Sequence, residues 1–279
     1  YSPQITSYLL SNPRIEHLMV ESLYIGQAER LSYEEYTRLG YIIARSVQLK
    51  DLDLDLPFDD EAYELFEGVA NAINIEDLYL NGARRQKLYE AIECDGPLTR
   101  LLQNPQNQLK KLTLTRLGLR DEHLIAIAQV LPASRLQYFD FSHNSIQSEG
   151  MLEFARQLPR IHTLTMFESQ PNPWEWQESA RDIIGAALVH ALMENTSIRS
   201  MFCLDSFPNA APLLWYYTTL NCAGRPLLRS SQPIPDGLWP LVLERGGCPA
   251  GYDESRFGTA EHQAVFFLLQ TFPTILSFR

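Results

Sequence analysis

The densest set of chemically capable side chains in this sequence is a run of carboxylates: Asp51, Asp53, Asp55, Asp59 and Asp60. Such a run can hold calcium, support metal-dependent hydrolysis or phosphotransfer, or attract a cationic partner. The helix–loop–helix calcium register fails. Leu56 stands where a glycine is required, and Ala62 stands where a bidentate glutamate belongs. A phosphotransfer aspartate pair would close an apolar strand and be followed by Thr or Val, but Asp55 occupies that place. Alternation gives a simpler reading. At two-residue spacing Asp51, Asp53 and Asp55 lie on one face of a strand, about 7 Å apart. They repel one another and add little to folding, so they are either simply solvated or used to bind. Metal-dependent hydrolysis through the same trio is the enzymatic alternative.

Elsewhere the sequence carries no catalytic signature. It has no G-x-S-x-G, no Walker A loop, no H-E-x-x-H and no dinucleotide glycine fingerprint. The histidines, His17, His123, His143, His162, His190 and His262, are scattered. The expectation is therefore a non-enzyme with no cofactor and no metal. Net charge is −11, which repels phosphate backbones, and the basic clusters (Arg84, Arg85, Lys87; Lys110, Lys111) are short, so nucleic acid is not expected. Apolar runs such as Ala264–Leu269 fall far short of the roughly 20 residues of a membrane span. Cys94, Cys203, Cys222 and Cys248 form no C-x-x-C pair and read as free thiols of a reducing compartment, cytoplasm or nucleus. The chain starts at Tyr1 without a signal-peptide pattern, and because it does not start at Met, secretion after removal of a leader stays open.

The elements that position the carboxylates follow from an internal repeat. An apolar, two residues, apolar, one residue, apolar pattern recurs at Ile15, Leu18, Val20; Leu49, Leu52, Leu54; Ile75, Leu78, Leu80; Leu109, Leu112, Leu114; Leu136, Phe139, Phe141; Ile161, Leu164, Met166; and Ile198, Met201, Cys203. The steps between middle residues are 34, 26, 34, 27, 25 and 37. Between triplets the period changes from 2 to about 3.6. Leu124, Ile125, Ala128 and Leu131 line one helix face; Met151, Leu152, Ala155 and Leu158 line a second; Ile183, Ile184, Ala187, Leu188, Ala191 and Leu192 line a longer one. Asp121 and Ser148 are placed as N-caps, with Pro132 and Pro159 just beyond the helix ends. Strands buried on both faces would be continuously apolar, whereas here Asp51, Asp53 and Asp55 alternate with Leu52 and Leu54, so one sheet face is wet. The predicted architecture is α/β: a solenoid of about seven strand–helix repeats, with a parallel concave sheet and a helical outer face, over residues 1–206.

Two stretches resemble the leucine-rich-repeat consensus L-x-x-L-x-L-x-x-L/N-x-L. They are Leu109-Lys-Lys-Leu-Thr-Leu-Thr-Arg-Leu-Gly-Leu119 and Leu136-Gln-Tyr-Phe-Asp-Phe-Ser-His-Asn-Ser-Ile146. The resemblance implies that Asn144 bonds the backbone of the turn after its strand. Leu117 stands at the matching place one repeat earlier, and Pro57 and Ser169 lie near it in the second and sixth repeats. The long helical repeats resemble the ribonuclease-inhibitor-like subclass, whose scaffold serves many binding roles.

From about Phe207 the pattern stops. A helix is expected from Pro212 to near Gly224, then a connector over Pro233–Pro240, then a helix from about Thr259 to Thr271. Leu220-Asn-Cys-Ala-Gly-Arg225 with Leu238-Trp-Pro-Leu-Val-Leu-Glu244 resembles a tail found after such repeats in algal, oomycete and fungal proteins. Residues 207–279 are read as a mostly helical cap on the last repeat, with Trp215, Tyr216, Tyr217 and Trp239 covering its apolar end.

Outward positions then follow from alternation: His17, Met19, Glu21; Asp51, Asp53, Asp55; Asp77, Tyr79, Asn81; Lys111, Thr113, Thr115; Tyr138, Asp140, Ser142; Thr163, Thr165, Phe167; Ser200, Phe202, Leu204. The first three repeats are acidic and the last two apolar and aromatic, with Trp174 and Trp176 in a Pro-rich insertion beside Phe167, either offered to a partner or folded back onto their own helix. The expected function is a protein–protein interaction scaffold. Its candidate partner-binding residues are Asp51, Asp53, Asp55, Asp77, Tyr79, Lys111, Tyr138, Asp140, Phe167, Trp174, Trp176 and Phe202, and its partner carries a basic surface. An enzyme regulator (an inhibitor or GTPase activator) and a structural subunit of a large assembly are the other readings.

Overall fold

The structure is a computed structural model that describes residues 12, 14–21, 32–56, 62–82, 96–173, 177–203, 206–223 and 225. Strands and helices alternate: β1 His17–Glu21, α1 Tyr33–Arg45, β2 Asp51–Leu56, α2 Tyr63–Asn71, β3 Asp77–Gly82, α3 Pro97–Gln103, β4 Lys111–Thr115, α4 Asp121–Val130, β5 Tyr138–Asp140, α5 Ser148–Gln157, β6 Met166–Glu168, α6 Glu178–Glu194, β7 Ser200–Phe202 and α7 Ala211–Cys222. The strands form one parallel sheet in sequence order, β1 to β7. This is the leucine-rich-repeat-like solenoid that the alternation predicts. Each strand's inward residues (Leu52 and Leu54, Leu78 and Leu80, Leu112 and Leu114) are fully buried against the helices, while Asp51, Asp53 and Asp55 remain partly exposed.

One backbone device repeats at every step and fixes the register. A single carbonyl accepts the N–H groups of two successive residues of the next repeat. Glu16 O accepts from Lys50 and Asp51, Lys50 O from Glu76 and Asp77, Glu76 O from Lys110 and Lys111, Lys110 O from Gln137 and Tyr138, Gln137 O from Thr165 and Met166, and Thr165 O from Arg199 and Ser200. The sixth repeat therefore differs from the sequence expectation. Its inward triplet is not Ile161, Leu164, Met166 but Leu164, Phe167, Ser169, three residues later, with Phe167 paired to Phe139 and Met201. The cause is the connection after α5. A 3-10 turn, Leu158–Arg160, closes that helix just as Leu131–Ala133 closes α4, but five residues, 161–165, lead from it to β6 where four, 134–137, lead to β5, and Ile161 is buried within that connection. The steps between register-matched residues Leu18, Leu52, Leu78, Leu112, Phe139, Phe167 and Met201 become 34, 26, 34, 27, 28 and 34.

The turns after the strands are held by asparagines. Asn144 Oδ1 accepts from Leu117 and Leu119 N–H at 3.0 and 3.1 Å, and its Nδ2 donates to the carbonyls of Leu114, Phe141 and Ser142. This is the role its resemblance implies. Asn172 repeats the arrangement one step on, accepting from Ile146 N–H and donating to Phe141 and Ser169 carbonyls. At the opposite end of the strands, Asn195 Nδ2 donates to Leu158 and Ile161 carbonyls, and Asn221 Nδ2 donates to Asn195 and Ile198 carbonyls. These amides satisfy backbone groups that would otherwise be buried unpaired.

The helices begin one residue away from the expected caps. Asp121 and Ser148 are first helical residues, and Arg120 and Gln147 cap them. Arg120 N–H is taken by His123 Nδ1 at 3.0 Å, which frees the Asp121 carboxylate to accept from Gln147 N–H of the next repeat at 2.6 Å. Pro132 and Pro159 lie in the 3-10 turns that close α4 and α5. Within the core, Phe139, Phe141, Phe154 and Phe167 form an aromatic column, with ring centroids 4.9 Å apart for Phe139–Phe141, 5.4 Å for Phe141–Phe154 and 5.1 Å for Phe154–Phe167. α7 follows Phe207 as expected and buries Leu214 and Trp215 in the same core. Arg225 donates to the carbonyls of Leu192 and Met193 at the end of α6 and stacks on Tyr217. Cys203 is buried, and Cys222 is a partly buried free thiol. The connector 233–240, Trp239, the helix expected over 259–271, Cys94 and Cys248 lie outside the described residues.

α1 and α2 touch through glycine. A Cβ at Gly68 would lie 2.1 Å from the Gly40 carbonyl oxygen, a backbone atom that cannot swing aside. Gly68→Ala is expected to destabilise the protein by about 1–3 kcal/mol, the usual cost of overpacking. Asn144→Ala is expected to cost more than that, since several buried backbone groups lose their partner at about 1–3 kcal/mol each. Urea unfolding of both variants measures this. A neutral Asn144→Ala would contradict the assigned ladder.

Candidate functional site

Sheet pleating delivers the exposed face as two rows of side chains crossing the strands. The register places His17, Asp51, Asp77, Lys111, Tyr138, Met166 and Ser200 in one row, and Met19, Asp53, Tyr79, Thr113, Asp140, Glu168 and Phe202 in the next. Neighbours within a row are about 4.8 Å apart at the backbone, so facing charges feel each other strongly. Of the expected residues, Asp51, Asp53, Asp55, Asp77, Tyr79, Lys111, Tyr138, Asp140 and Phe202 share this face.

Phe167 does not share it. It is fully buried, turned inward by the three-residue shift of the sixth repeat, and belongs to the aromatic column. Met166 and Glu168 face outward in its place. The aromatic C-terminal patch thus shrinks to Tyr138 and Phe202, the latter 41% exposed. Acidic character extends further along the sheet than the first three repeats, through Asp140 and Glu168. Trp174, Trp176, Asp59 and Asp60 lie outside the described residues. Glu168 was missed because the triplet was read from Ile161. The signal that identifies it is Asn172: Leu164-x-x-Phe167-x-Ser169-x-x-Asn172 matches the repeat consensus with its asparagine in place.

Charges on the face are unevenly compensated. The Lys111 ammonium lies 3.0 Å from the Asp77 carboxylate, which with Asp51 nearby raises the lysine pKa above its ordinary value. His17 Nδ1 contacts the Asp51 carboxylate. Along the rim Glu16 pairs with Lys50 at 2.9 Å and Glu76 with Lys110, and each lysine holds its glutamate below the usual carboxylate range, so the rim is self-neutralised. The far half differs. Tyr138 Oη donates to Glu168 at 2.8 Å, and Asp140 Oδ1 accepts from Ser142 N–H at 2.8 Å, but no cation pairs with either carboxylate among the described residues. Burial pushes Glu168 above the usual carboxylate range. The Tyr138 hydrogen bond offsets part of that, and the charge of Asp140 adds to it. Burial, reinforced by the bond to Glu168, also holds the Tyr138 phenol well above its ordinary value.

No group of three His, Cys, Asp or Glu among the described residues is placed to hold a metal ion. No helix of the described residues is long and apolar enough to cross a membrane.

Comparison with known proteins yields no matching family model and no matching curated protein. Among solved structures, the chain is similar to leiomodin-1 actin-binding site 2, with 13% identity and a TM-score of 0.37, over 81% of this chain and 93% of that one. It is also similar to the C-terminal domain of Caenorhabditis elegans tropomodulin, with 10% identity and a TM-score of 0.37, over 80% and 99%. Superposition at that level carries no argument about function.

A carboxyl whose pKa is raised by folding stabilises the fold in its neutral form, and that contribution is lost as pH rises through the raised value. Glu168→Gln keeps an acceptor for Tyr138 and carries no charge. The variant is expected to be more stable than the parent at pH 7, with the gap closing below about pH 4, the unfolded carboxylate range. Denaturant midpoints at the two pH values measure it. A variant less stable than the parent at pH 7 would contradict the uncompensated charge.

Proposed function

We propose that this chain is a non-enzymatic scaffold that grips a protein partner with a basic surface through the exposed face of its sheet. The observation that carries the reading is the charge of that face. Asp51, Asp53, Asp55, Asp77 and Glu168 lie partly exposed on it, with the largely buried Asp140 beside Glu168 and Lys111 and His17 as neighbouring cations among the described residues, and the rim charges cancel each other. A broad single-sign field of this kind contributes mainly to encounter rate and partner choice. Affinity comes from the half-exposed apolar groups set among the charges, Tyr79, Tyr138, Met166 and Phe202. Repeat lengths near 26 and 34 residues support the ribonuclease-inhibitor-like subclass, and the absence of any C-x-x-C pair among the four cysteines of the sequence supports a reducing compartment.

Capture of partners from native lysate, identified by mass spectrometry, supplies the ligand for the decisive experiment. Reversing Asp51 and Asp53 to Lys is expected to slow association with the captured partner at least tenfold at low salt and to flatten the salt dependence, with a small change in dissociation. Stopped-flow association rates across ionic strength measure it. Rates unchanged by the reversal would remove the sheet face as the binding surface.

A further inference from the structure

The first strand of the sheet carries an open backbone edge. Among the described residues β1 pairs with β2 alone. The register says which of its groups that pairing uses. His17 is matched with Asp51, and Asp51 N–H donates to Glu16 O at 3.0 Å. In a parallel ladder that pattern turns the N–H and C=O of Leu18 and Val20 toward β2, and those of His17, Met19 and Glu21 away from it. Such an outer row of donors and acceptors is a template for another strand. Natural edges are commonly guarded by proline, lysine or a bulge, and His17-Leu-Met-Val-Glu21 has none of these. The side chains agree. Leu18 and Val20, which face the helices, keep 8% and 6% exposure, where the matching leucines of β2, β3 and β4 keep 1% or less. Met19 on the other face is 63% exposed. The opposite end of the sheet differs: β7 has three residues, and Ser200, Met201 and Phe202 are all engaged.

We propose that this edge pairs with the same edge of a second copy of the chain, β1 antiparallel to β1, about a two-fold axis through Met19. The sequence of the strand favours this occupant because it is complementary to itself. The axis sets His17 of each copy opposite Glu21 of the other, an imidazole against a carboxylate at both ends of the contact. It sets Met19 against Met19, which covers the most exposed large apolar side chain of the sheet among the described residues. On the inner side it sets Leu18 against Val20, so the apolar layer continues from one copy into the other. The outward backbone groups at His17, Met19 and Glu21 are those that antiparallel hydrogen-bonded pairs exchange. Sliding the copies by two residues in either direction loses the match of His17 with Glu21. An axis normal to the sheet keeps both outward faces on the same side, and joins two seven-stranded sheets into one. The nearest aspartates of the two copies, on β2 and its mate, are three strand spacings apart, about 14 Å. That exceeds the roughly 8 Å screening length at physiological salt, so the acidic faces do not forbid the contact. The inference concerns the end of the sheet and is independent of what its acidic face binds.

Sedimentation velocity of the full chain at physiological salt tests it. A strand-edge contact is small, so the sedimentation coefficient is expected to rise from that of a monomer to that of a dimer between about 1 and about 200 µM. Met19→Pro removes an N–H that β2 does not use, and is expected to weaken dimerisation about tenfold or more while leaving the urea midpoint unchanged. His17→Glu sets like charges opposite each other and is expected to weaken it as well. Adding Glu21→Lys to that variant reverses both signs and is expected to restore the dimer, a rescue that damage to the fold would not show. The charge pair keeps the test decisive if proline lowers the urea midpoint. A monomer at every concentration overturns the proposal and leaves the edge to another segment of the chain or to a different partner. A dimer that tolerates both Met19→Pro and His17→Glu uses another surface and overturns it equally.

Discussion

Everything in this molecule depends on the register of one parallel sheet. A shift of a single residue in any strand would exchange its buried and exposed sets, because side chains alternate with a period of two. Two devices hold that register. Carbonyls from Glu16 to Thr165 each accept two N–H groups from the next repeat, and asparagines such as Asn144, Asn172 and Asn195 tie the turns at both ends of the strands. The devices are local between adjacent repeats, as a solenoid requires, so each repeat is positioned by its neighbours alone.

Register has a direct chemical consequence. It buries Leu52 and Leu54 against the helices and leaves Asp51, Asp53 and Asp55 on the other face. It brings Asp140 beside Glu168 from repeats whose paired residues are 28 apart in sequence. Rim charges at Glu16, Lys50, Glu76 and Lys110 cancel in pairs and Lys111 meets Asp77 on the face, whereas no cation pairs with Asp140 or Glu168 among the described residues. The fold thus concentrates negative charge on one surface, where it adds little to stability. Such an arrangement is intelligible as recognition.

Much of this was legible in the sequence. The apolar triplets and the change of period between them specify strands, helices and a wet sheet face, and the β1 to β5 residues fall where alternation puts them. Asn144 is recognisable from its place in the consensus. The sixth repeat is deceptive in sequence because three apolar residues, Ile161, Leu164 and Met166, mimic the triplet spacing. What decides between the two frames is the connection from the 3-10 turn to the strand, one residue longer before β6 than before β5, which apolar spacing alone does not encode. That one shift moved Phe167 into the core and brought Glu168 to the surface. Pairings such as Lys111 with Asp77, or Tyr138 with Glu168, join residues 34 and 30 positions apart and become visible only once the register is known.

The central claim is that the sheet face, and not the helical face, is the surface that meets the partner. Carbodiimide labelling of carboxylates, read residue by residue by mass spectrometry with and without the captured partner, tests it most directly. The account predicts protection of Asp51, Asp53, Asp77 and Glu168, with Glu34, Glu122 and Glu149 on the exposed helices modified equally in both states. Protection of the helical glutamates with undiminished labelling of the sheet carboxylates would contradict it.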